Sequence, residues 1–254
     1  MKVLLITQAR YGSTRLPGKV LMEVLNKQTL LDVHLKRILT SKRIDKAVVA
    51  TTHEKKASRI IDIAFQNGIE AYRGDTHDVL DRFYKTAFLF QPEYIVRVTS
   101  DCPLIDGSII DLVVGHLLAN ELDYVSNTLE RTYPDGLDVE AFTFKALELA
   151  WKEAHLNSDR EHVTPFIWRN SSFRNGSLFK SANVSCENSF GEMRLTVDEY
   201  PDLLVVQKLI VELGTDKNWM AYVDLLIQNP AIAALNSHFK CNEGYVKSLA
   251  KDIT

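Results

Sequence analysis

The chain has 254 residues, of which 46% are hydrophobic and 25% are charged, and its formal net charge is −3. This length and composition predict one large α/β domain, spanning residues 1–254, of a water-soluble protein. The slight acidic excess argues against a nucleic-acid-binding protein. We expect neither a membrane span nor a signal peptide, because no apolar run has the required length. The three cysteines form no CxxC pair, which predicts reduced thiols in a cytoplasmic protein.

A basic, glycine-containing loop at residues 7–19 follows the first predicted strand, a short apolar run. Its cations Arg10, Arg15 and Lys19 would repel one another unless an anion lay among them. Glycine lets backbone N–H groups approach an anion closely, and the cationic side chains neutralise its charge. The loop therefore predicts polyphosphate binding, with a plain basic surface loop as the alternative. The glycine spacing does not match GxGxxG, and Val20 after Lys19 excludes a Walker P-loop.

Strand-like and helix-like segments alternate along the rest of the chain. In chain order we predict a helix at 30–39, a strand at 47–50, a helix at 55–66, a strand at 69–72, a helix from 78, a strand at 94–99, a helix at 108–119, strands at 124–127 and 137–142, a helix at 144–154, a strand at 193–197, a helix at 201–213 and a helical tail over 214–254. This alternation predicts an α/β fold with a Rossmann-like, mostly parallel mixed sheet flanked by helices.

An acidic residue, Asp101, follows the predicted strand at 94–99. The carboxyl ends of parallel strands meet at one edge of the sheet, where the basic loop also lies. A carboxylate facing a phosphate loop is well placed for Mg²⁺, which prefers carboxylate and phosphate oxygens. Asp101 therefore predicts a magnesium site, and a cap for the turn before Pro103 is the alternative.

Two further carboxylates, Asp138 and Glu140, lie in the alternating segment 137–142, which follows a Pro-Asp-Gly turn. Alternation would point both side chains the same way, and with no base paired to them they predict polar contacts to a substrate. An exposed edge strand is the alternative.

The segment 158–167 offers a structural role for one of its charged residues. Ser158 and Glu161 have the spacing of a helix capping box, which leaves Arg160 and His162 as candidates for substrate contact. The polar stretch 170–188 predicts a flexible connection or a short antiparallel excursion.

Residues 8–19, read as Gln-Ala-Arg-Tyr-Gly-Ser-Thr-Arg-Leu-Pro-Gly-Lys, resemble the signature loop of the cytidylyltransferases that activate acidic sugars. That superfamily includes the 3-deoxy-manno-octulosonate and acylneuraminate enzymes, and the resemblance is greatest to spore-coat polysaccharide cytidylyltransferase-like proteins. The pattern Asp-x-Pro-Leu-Ile from Asp101 and the run Arg-Leu-Thr-Val-Asp ending at Asp198 resemble the family as well. Ser100 departs from the glycine that usually precedes the first of these acids.

The resemblance covers about residues 1–210 and implies a nucleotide-diphospho-sugar transferase type of fold with a sugar-binding and dimerisation excursion at about 130–190. It implies a homodimer that joins CTP to an acidic sugar, with Mg²⁺ held by Asp101 and Asp198, and releases pyrophosphate. The implied site residues are, for catalysis, Arg10, Arg15, Lys19, Asp101 and Asp198; for nucleotide binding, Gln8, Ala9, Arg10, Gly12, Ser13, Arg15, Lys19, Thr51, Thr52, Arg73, Gly74, Asp78, Thr99 and Ser100; and for the sugar, Pro103, Tyr133, Asp138, Glu140, Arg160 and His162.

Some of these residues have structural alternatives. Either Thr51 or Thr52 could cap a helix, and Asp78 could be a favourable charge at a helix N-terminus. The alternatives for the whole protein are a nucleotide-sugar glycosyltransferase, which would usually show an Asp-x-Asp pair, a nucleotidyltransferase for another nucleotide and a sugar phosphate, and a non-catalytic nucleotide-binding protein.

Overall fold

A computed structural model describes residues 1–252. Its strands are β1 (Val3–Gln8), β2 (Glu23–Leu25), β3 (Gln28–Thr29), β4 (Lys46–Thr52), β5 (Glu70–Gly74), β6 (Tyr94–Thr99), β7 (Tyr124–Ser126), β8 (Glu140–Thr143) and β9 (Ser181–Asn183). Its α-helices are α1 (Leu30–Ile38), α2 (Ser58–Gln66), α3 (Val79–Phe90), α4 (Gly107–Ala119), α5 (Phe144–Glu153), α6 (Asn157–His162), α7 (Pro165–Arg169), α8 (Tyr200–Leu213), α9 (Trp219–Gln228), α10 (Pro230–Ala233) and α11 (Glu243–Asp252).

Seven of the strands form one sheet in the order β5-β4-β1-β6-β8-β7-β9. Strands β5, β4, β1 and β6 are parallel, and β8 runs antiparallel to both of its neighbours. The predicted mostly parallel mixed sheet is therefore confirmed. The expected antiparallel excursion is not what the polar stretch forms, because β9 pairs in parallel with β7 at the edge of the sheet.

The sheet is buried on both faces. Alternate residues of β1 point into two separate apolar layers, with Leu5 on one side and Leu4 and Ile6 on the other. All three side chains are fully buried. A strand covered on both faces has a continuous apolar sequence, which is why β1 is recognisable from its residues alone.

The structure decides the helix-capping alternatives for Asp78, Thr51 and Thr52. Asp78 caps α3 by accepting from the backbone N–H of Asp81, so its structural alternative is confirmed. Neither Thr51 nor Thr52 caps a helix, because both belong to β4 and are fully buried.

The predicted capping box of Ser158 and Glu161 is wrong. Helix α6 begins after Leu156, where no side chain caps it. Glu161 instead accepts a hydrogen bond from Ser248 of α11.

Two predicted strands are shorter than expected or do not form. The alternating segment 137–142 enters the sheet only at Glu140, where β8 begins. The segment 193–197 forms no strand, and its Arg194 makes a single isolated bridge with Asp135. This extended segment ends at α8, whose N-cap is Glu199.

The predicted helical tail forms helices α9, α10 and α11 within the described residues, and residues 253–254 of that prediction lie outside them. Asn236 is 3% exposed and donates to the carbonyl of Arg194 and to Asp202, so the tail is anchored in the core. Its last helix, α11, contacts α6.

The excursion that the resemblance implies at about 130–190 includes the aromatic-rich segment 142–173, whose apolar residues largely fill the protein's own core. Phe142 and Leu147 are fully buried, and Leu156 is the exposed large apolar side chain of that segment. The homodimer stays a prediction. In the described part of the chain, no helix has the length and apolarity needed to cross a membrane.

Candidate active site

A cavity of about 1240 Å³ opens at the carboxyl edge of strands β1 and β6. Its wall is formed by the basic loop after β1, the start of α3, the turn after β6, helix α6, the segment before α8 and helix α11. In an open α/β sheet, ligands bind outside the carboxyl ends of the strands. The cavity is therefore the place where this fold would bind a substrate.

Most of the predicted site residues line this cavity. They are Gln8, Ala9, Arg10, Gly12, Ser13, Arg15, Lys19, Asp78, Thr99, Asp101, Asp138, Glu140, Arg160, His162 and Asp198. The sequence therefore brings together residues up to 190 positions apart, counted from Gln8 to Asp198.

Other predicted site residues lie outside the cavity wall. They are Thr51, Thr52, Arg73, Gly74, Ser100, Pro103 and Tyr133. Thr52 donates to Glu54, and the fully buried Thr51 has no partner for its hydroxyl. Ser100 is buried and donates to the carbonyl of Gln8, so it holds the loop instead of facing the cavity. The ring of Tyr133 packs edge-on against Trp219.

Lys19 joins the two predicted acids. Its ammonium nitrogen lies 2.8 Å from Asp101 Oδ2 and 2.8 Å from Asp198 Oδ1. Burial alone would lower the pKa of Lys19, but the two carboxylates raise it above its usual value. Burial would likewise raise the pKa of Asp101, and the ammonium of Lys19 holds it well below its usual value. The ammonium of Lys19 and the carboxylate of Asp101 are therefore both charged at neutral pH.

The two acids meet by different routes. Asp101 lies in the turn after β6, and its carbonyl accepts from the backbone N–H of Val197 at 2.8 Å, which fixes the neighbouring Asp198. Both acids therefore contact the same ammonium group, although Asp198 does not end a strand. That they bind one magnesium ion stays a prediction.

Arg194 is a charged site residue that sequence reasoning missed. Its side chain is 5% exposed and bonds Asp135, Asp198 and Asp202, with Nη2 at 3.2 Å from Asp198 Oδ2. Arg15 reaches the other oxygen of Asp198 at 2.7 Å. The run Arg-Leu-Thr-Val-Asp contains the signal, since an arginine four residues before an acid can bond it.

The carboxylates expected to be free for a substrate are paired. Arg131 donates to both oxygens of Asp138, at 2.7 and 2.8 Å. Glu140 accepts from Arg97, and also from the hydroxyls of Tyr124 and Thr164, each at 2.6 Å. Both face the cavity, but the prediction of unpaired carboxylates is wrong. The partner of Asp138 lies only 7 positions earlier, whereas Arg97 lies 43 positions before Glu140.

The residues on α6 bond to neighbouring helices. Arg160 donates to both oxygens of Asp78, with Nε 3.0 Å from each. His162 lies 3.1 Å from the hydroxyl of Ser248, which itself donates to Glu161, so the imidazole is the donor. Burial and the nearby Arg97 lower the pKa of His162 to about 4. This histidine is therefore neutral at physiological pH.

This site has the features of an α/β nucleotide-binding enzyme, namely a cavity at the sheet edge, a basic loop and two convergent acids. A family model described as cytidylyltransferase matches residues 4–205. The chain thus belongs to the cytidylyltransferase family, enzymes of CTP-dependent nucleotidyl transfer.

Similar proteins match over most of the chain. An uncharacterised protein of Methanocaldococcus jannaschii, MJ1063, is 38% identical, with 94% of this chain and 96% of that protein covered. The spore coat polysaccharide biosynthesis protein SpsF of Bacillus subtilis is 31% identical, with 91% and 96% covered. A solved cytidylyltransferase structure from Leptospira borgpetersenii has a TM-score of 0.87 and 32% identity, with 94% and 100% covered.

Proposed function

We propose that this cytidylyltransferase transfers the CMP group of CTP to a hydroxyl of an anionic sugar and releases pyrophosphate, with Mg²⁺ bound by Asp101 and Asp198. The observation that carries the proposal is the position of Lys19, whose ammonium contacts both acids beside the basic loop. The resemblance of that loop to enzymes that activate acidic sugars supports the class of acceptor.

The donor set fits a magnesium ion. Mg²⁺ takes one or two protein carboxylates and completes its octahedron with water and phosphate oxygens. Asp101 and Asp198 supply two such carboxylates, and among residues 1–252 no group of three or more metal-binding side chains is present. When bound, the ion would reduce the negative charge on the phosphates.

The residues of the chain would act mainly by position and charge. The sugar oxygen attacks the α-phosphorus, the bond from that phosphorus to the β-phosphate oxygen breaks, and the proton of the hydroxyl passes to water. Arg10, Arg15 and Lys19 would stabilise the charge that develops on the leaving pyrophosphate. In the ligand-free protein Lys19 is held between the two acids, beside the basic loop.

A pyrophosphate-release assay with each of the four nucleoside triphosphates and a panel of sugar acids and sugar phosphates tests the proposal. We expect release with CTP and an acidic sugar, dependent on Mg²⁺. Lys19→Met should abolish it, whereas Lys36→Met on the exposed side of α1 should not. Release with another triphosphate, or with sugar phosphates alone, would contradict the assignment of the substrates.

The predicted homodimer is proposed from the resemblance only. Light scattering at micromolar concentration measures it, and a monomer would contradict it.

A further inference from the structure

Arg82 on α3 is a buried arginine with no carboxylate partner among the described residues. Its side chain lines the cavity, although the residue is only 1% exposed. Nη1 donates to the carbonyl of Asp75 at 2.6 Å, while the buried Nε has no partner. A buried charge without a partner is unfavourable, so this guanidinium is suited to a ligand that supplies one.

The acids nearest to Arg82 in the chain are already bonded elsewhere. Asp75 accepts from the backbone N–H groups of His77 and Asp78, at 2.7 and 2.8 Å. Asp78 accepts three contacts from Arg160. Nε of Arg82 is therefore left for a group that the protein itself does not provide.

The fold makes room for this arginine. A Cβ atom added at Gly74 would lie 2.8 Å from Cγ of Arg82, so the absence of a side chain there lets Arg82 pass. Gly74, which the sequence predicts as a nucleotide ligand, thus shapes the cavity from behind its wall.

Arg10 of the basic loop, like Arg82, has no carboxylate partner among the described residues. Its side chain lines the same cavity and forms no hydrogen bond or ion pair within residues 1–252. Burial, followed by the charge of Arg10, lowers the pKa of Arg82 to about 10, although the charges of Asp75, Asp78 and Glu54 act to raise it. A multiply charged anion bound beside both guanidinium groups would relieve their mutual repulsion and supply the acceptors that Arg10 and Nε of Arg82 lack.

We infer that Arg82 and Arg10 together bind the terminal phosphates of the nucleotide, which leave as pyrophosphate. The inference rests on the proposed function and adds Arg82 as a binding residue. Two guanidinium groups offer forked donors that match phosphate oxygens, and Arg10 stands two residues before Gly12 in the loop that carries the other phosphate-binding candidates.

Calorimetric titration of inorganic pyrophosphate without metal tests the inference on the full chain. We expect Arg82→Lys, Arg82→Met and Arg10→Gln each to weaken pyrophosphate binding by about tenfold or more, because each removes charge-assisted hydrogen bonds. Arg174→Gln is the matched control, since Arg174 is an exposed cation at the same cavity, stacked on Trp168 and Phe173, and should bind pyrophosphate as the wild type does.

The melting temperature of the ligand-free protein separates a binding role from a structural one. Arg10→Gln should raise it, because the substitution removes a cation that repels buried Arg82, while the same variant binds pyrophosphate less tightly. A structural role for Arg10 would lower both. If Arg82→Met does not fold, Arg82→Lys and Arg10→Gln still decide the matter.

Three outcomes would overturn the inference. Folded Arg82 variants that bind pyrophosphate as tightly as the wild type would do so and leave the proposed function standing. Variants that lose affinity for CMP but not for pyrophosphate would place Arg82 at another phosphate. A wild-type protein that binds neither pyrophosphate nor CTP would refute both the inference and the proposed function.

Discussion

Two groups of charged residues line the cavity. The group around Lys19 is paired with carboxylates, whereas Arg10 and Arg82 are not. Lys19, Asp101 and Asp198 form contacts of 2.8 Å, and Arg194 adds a further cation on Asp198. Arg10 and Arg82 have no carboxylate partner among the described residues. The first group is paired before any ligand binds, whereas the second group keeps guanidinium donors without a partner until an anion arrives.

This difference assigns different tasks to the two groups. A satisfied cluster is already ordered and can position reacting groups without reorganisation. A pair of cations without carboxylate partners is stabilised when a polyphosphate binds, and this stabilisation is lost when pyrophosphate departs. The comparison therefore predicts that substitutions in the paired cluster alter turnover and stability, and that substitutions near Arg82 alter phosphate affinity.

The largest expected effect is on turnover at the paired acids. Asp101→Asn and Asp198→Asn should each lower kcat by orders of magnitude, because the magnesium site needs both carboxylates. The double variant should be little worse than either single variant, since residues that act as a unit are not additive. Steady-state pyrophosphate release measures all three.

Asp224→Asn is the control for this prediction, because Asp224 is an exposed carboxylate on α9. Near-normal turnover in Asp198→Asn combined with an inactive Asp101→Asn would show that the two acids do not form one site.

The next largest effect concerns stability at Arg194. Arg194→Met would leave Asp202, which is fully buried, and Asp135 without their shared cation. Removing one partner of a buried ion pair destabilises by about 3–5 kcal/mol. Urea unfolding measures this, with Lys152→Met as the control, because its exposed pair with Glu148 contributes about 0–1 kcal/mol. Equal losses in both variants would mean that the cluster is not satisfied as described.

Much of the fold could be predicted because the relevant signals are local. The strand Tyr94–Thr99 has the bounds that the sequence predicts, since its apolar residues and the turns that flank it are local features of the sequence. The pairing of the 170–188 stretch could not be predicted, because it depends on β7, some 55 positions earlier. The same limit explains why α11 was not expected to line the cavity.

The candidate site was predictable where a motif marked it, as for Lys19, Asp101 and Asp198. Residues that act through distant partners were missed. Arg97 of β6 bonds Glu140 of the neighbouring strand β8. Arg82 has a buried Nε with no hydrogen-bond partner. A sequence shows a charge, but it does not show whether folding places an opposite charge beside it.

His34 packs next to the Lys19 cluster and should make the stability of the protein depend on pH. Its Nδ1–H donates to the carbonyl of Cys102, next to Asp101, and its other nitrogen accepts from Thr7. Burial lowers the pKa of His34 to about 4. Between about pH 6.5 and 4 the unfolded state therefore binds more protons, and the free energy of unfolding should fall by about 3 kcal/mol for this group as the pH falls.

Urea unfolding at several pH values checks this contribution. The slope of the free energy of unfolding against pH between 4 and 6.5 should be smaller in His34→Gln than in the wild type. Some slope should remain, because His162 titrates in the same window. His116→Gln, at an exposed position on α4, should keep the wild-type slope, and an unchanged slope in His34→Gln would contradict the prediction.

The smallest expected effect is at Gly74, and it tests the unpaired arginines without removing a charge. In Gly74→Ala the new Cβ would lie 2.8 Å from Cγ of Arg82 and 3.2 Å from the ring of Tyr72, so the arginine must shift. Such overpacking destabilises by about 1–3 kcal/mol. Pyrophosphate affinity should fall several-fold while the Lys19 cluster is unaffected, so the loss should appear in the dissociation constant of pyrophosphate before it appears in kcat. Gly115→Ala is the matched control, because its new Cβ would meet Arg43 only at 3.4 Å and alanine favours a helix by up to about 1 kcal/mol. If Gly74→Ala is as stable as Gly115→Ala and binds pyrophosphate normally, then the position of Arg82 does not govern phosphate binding.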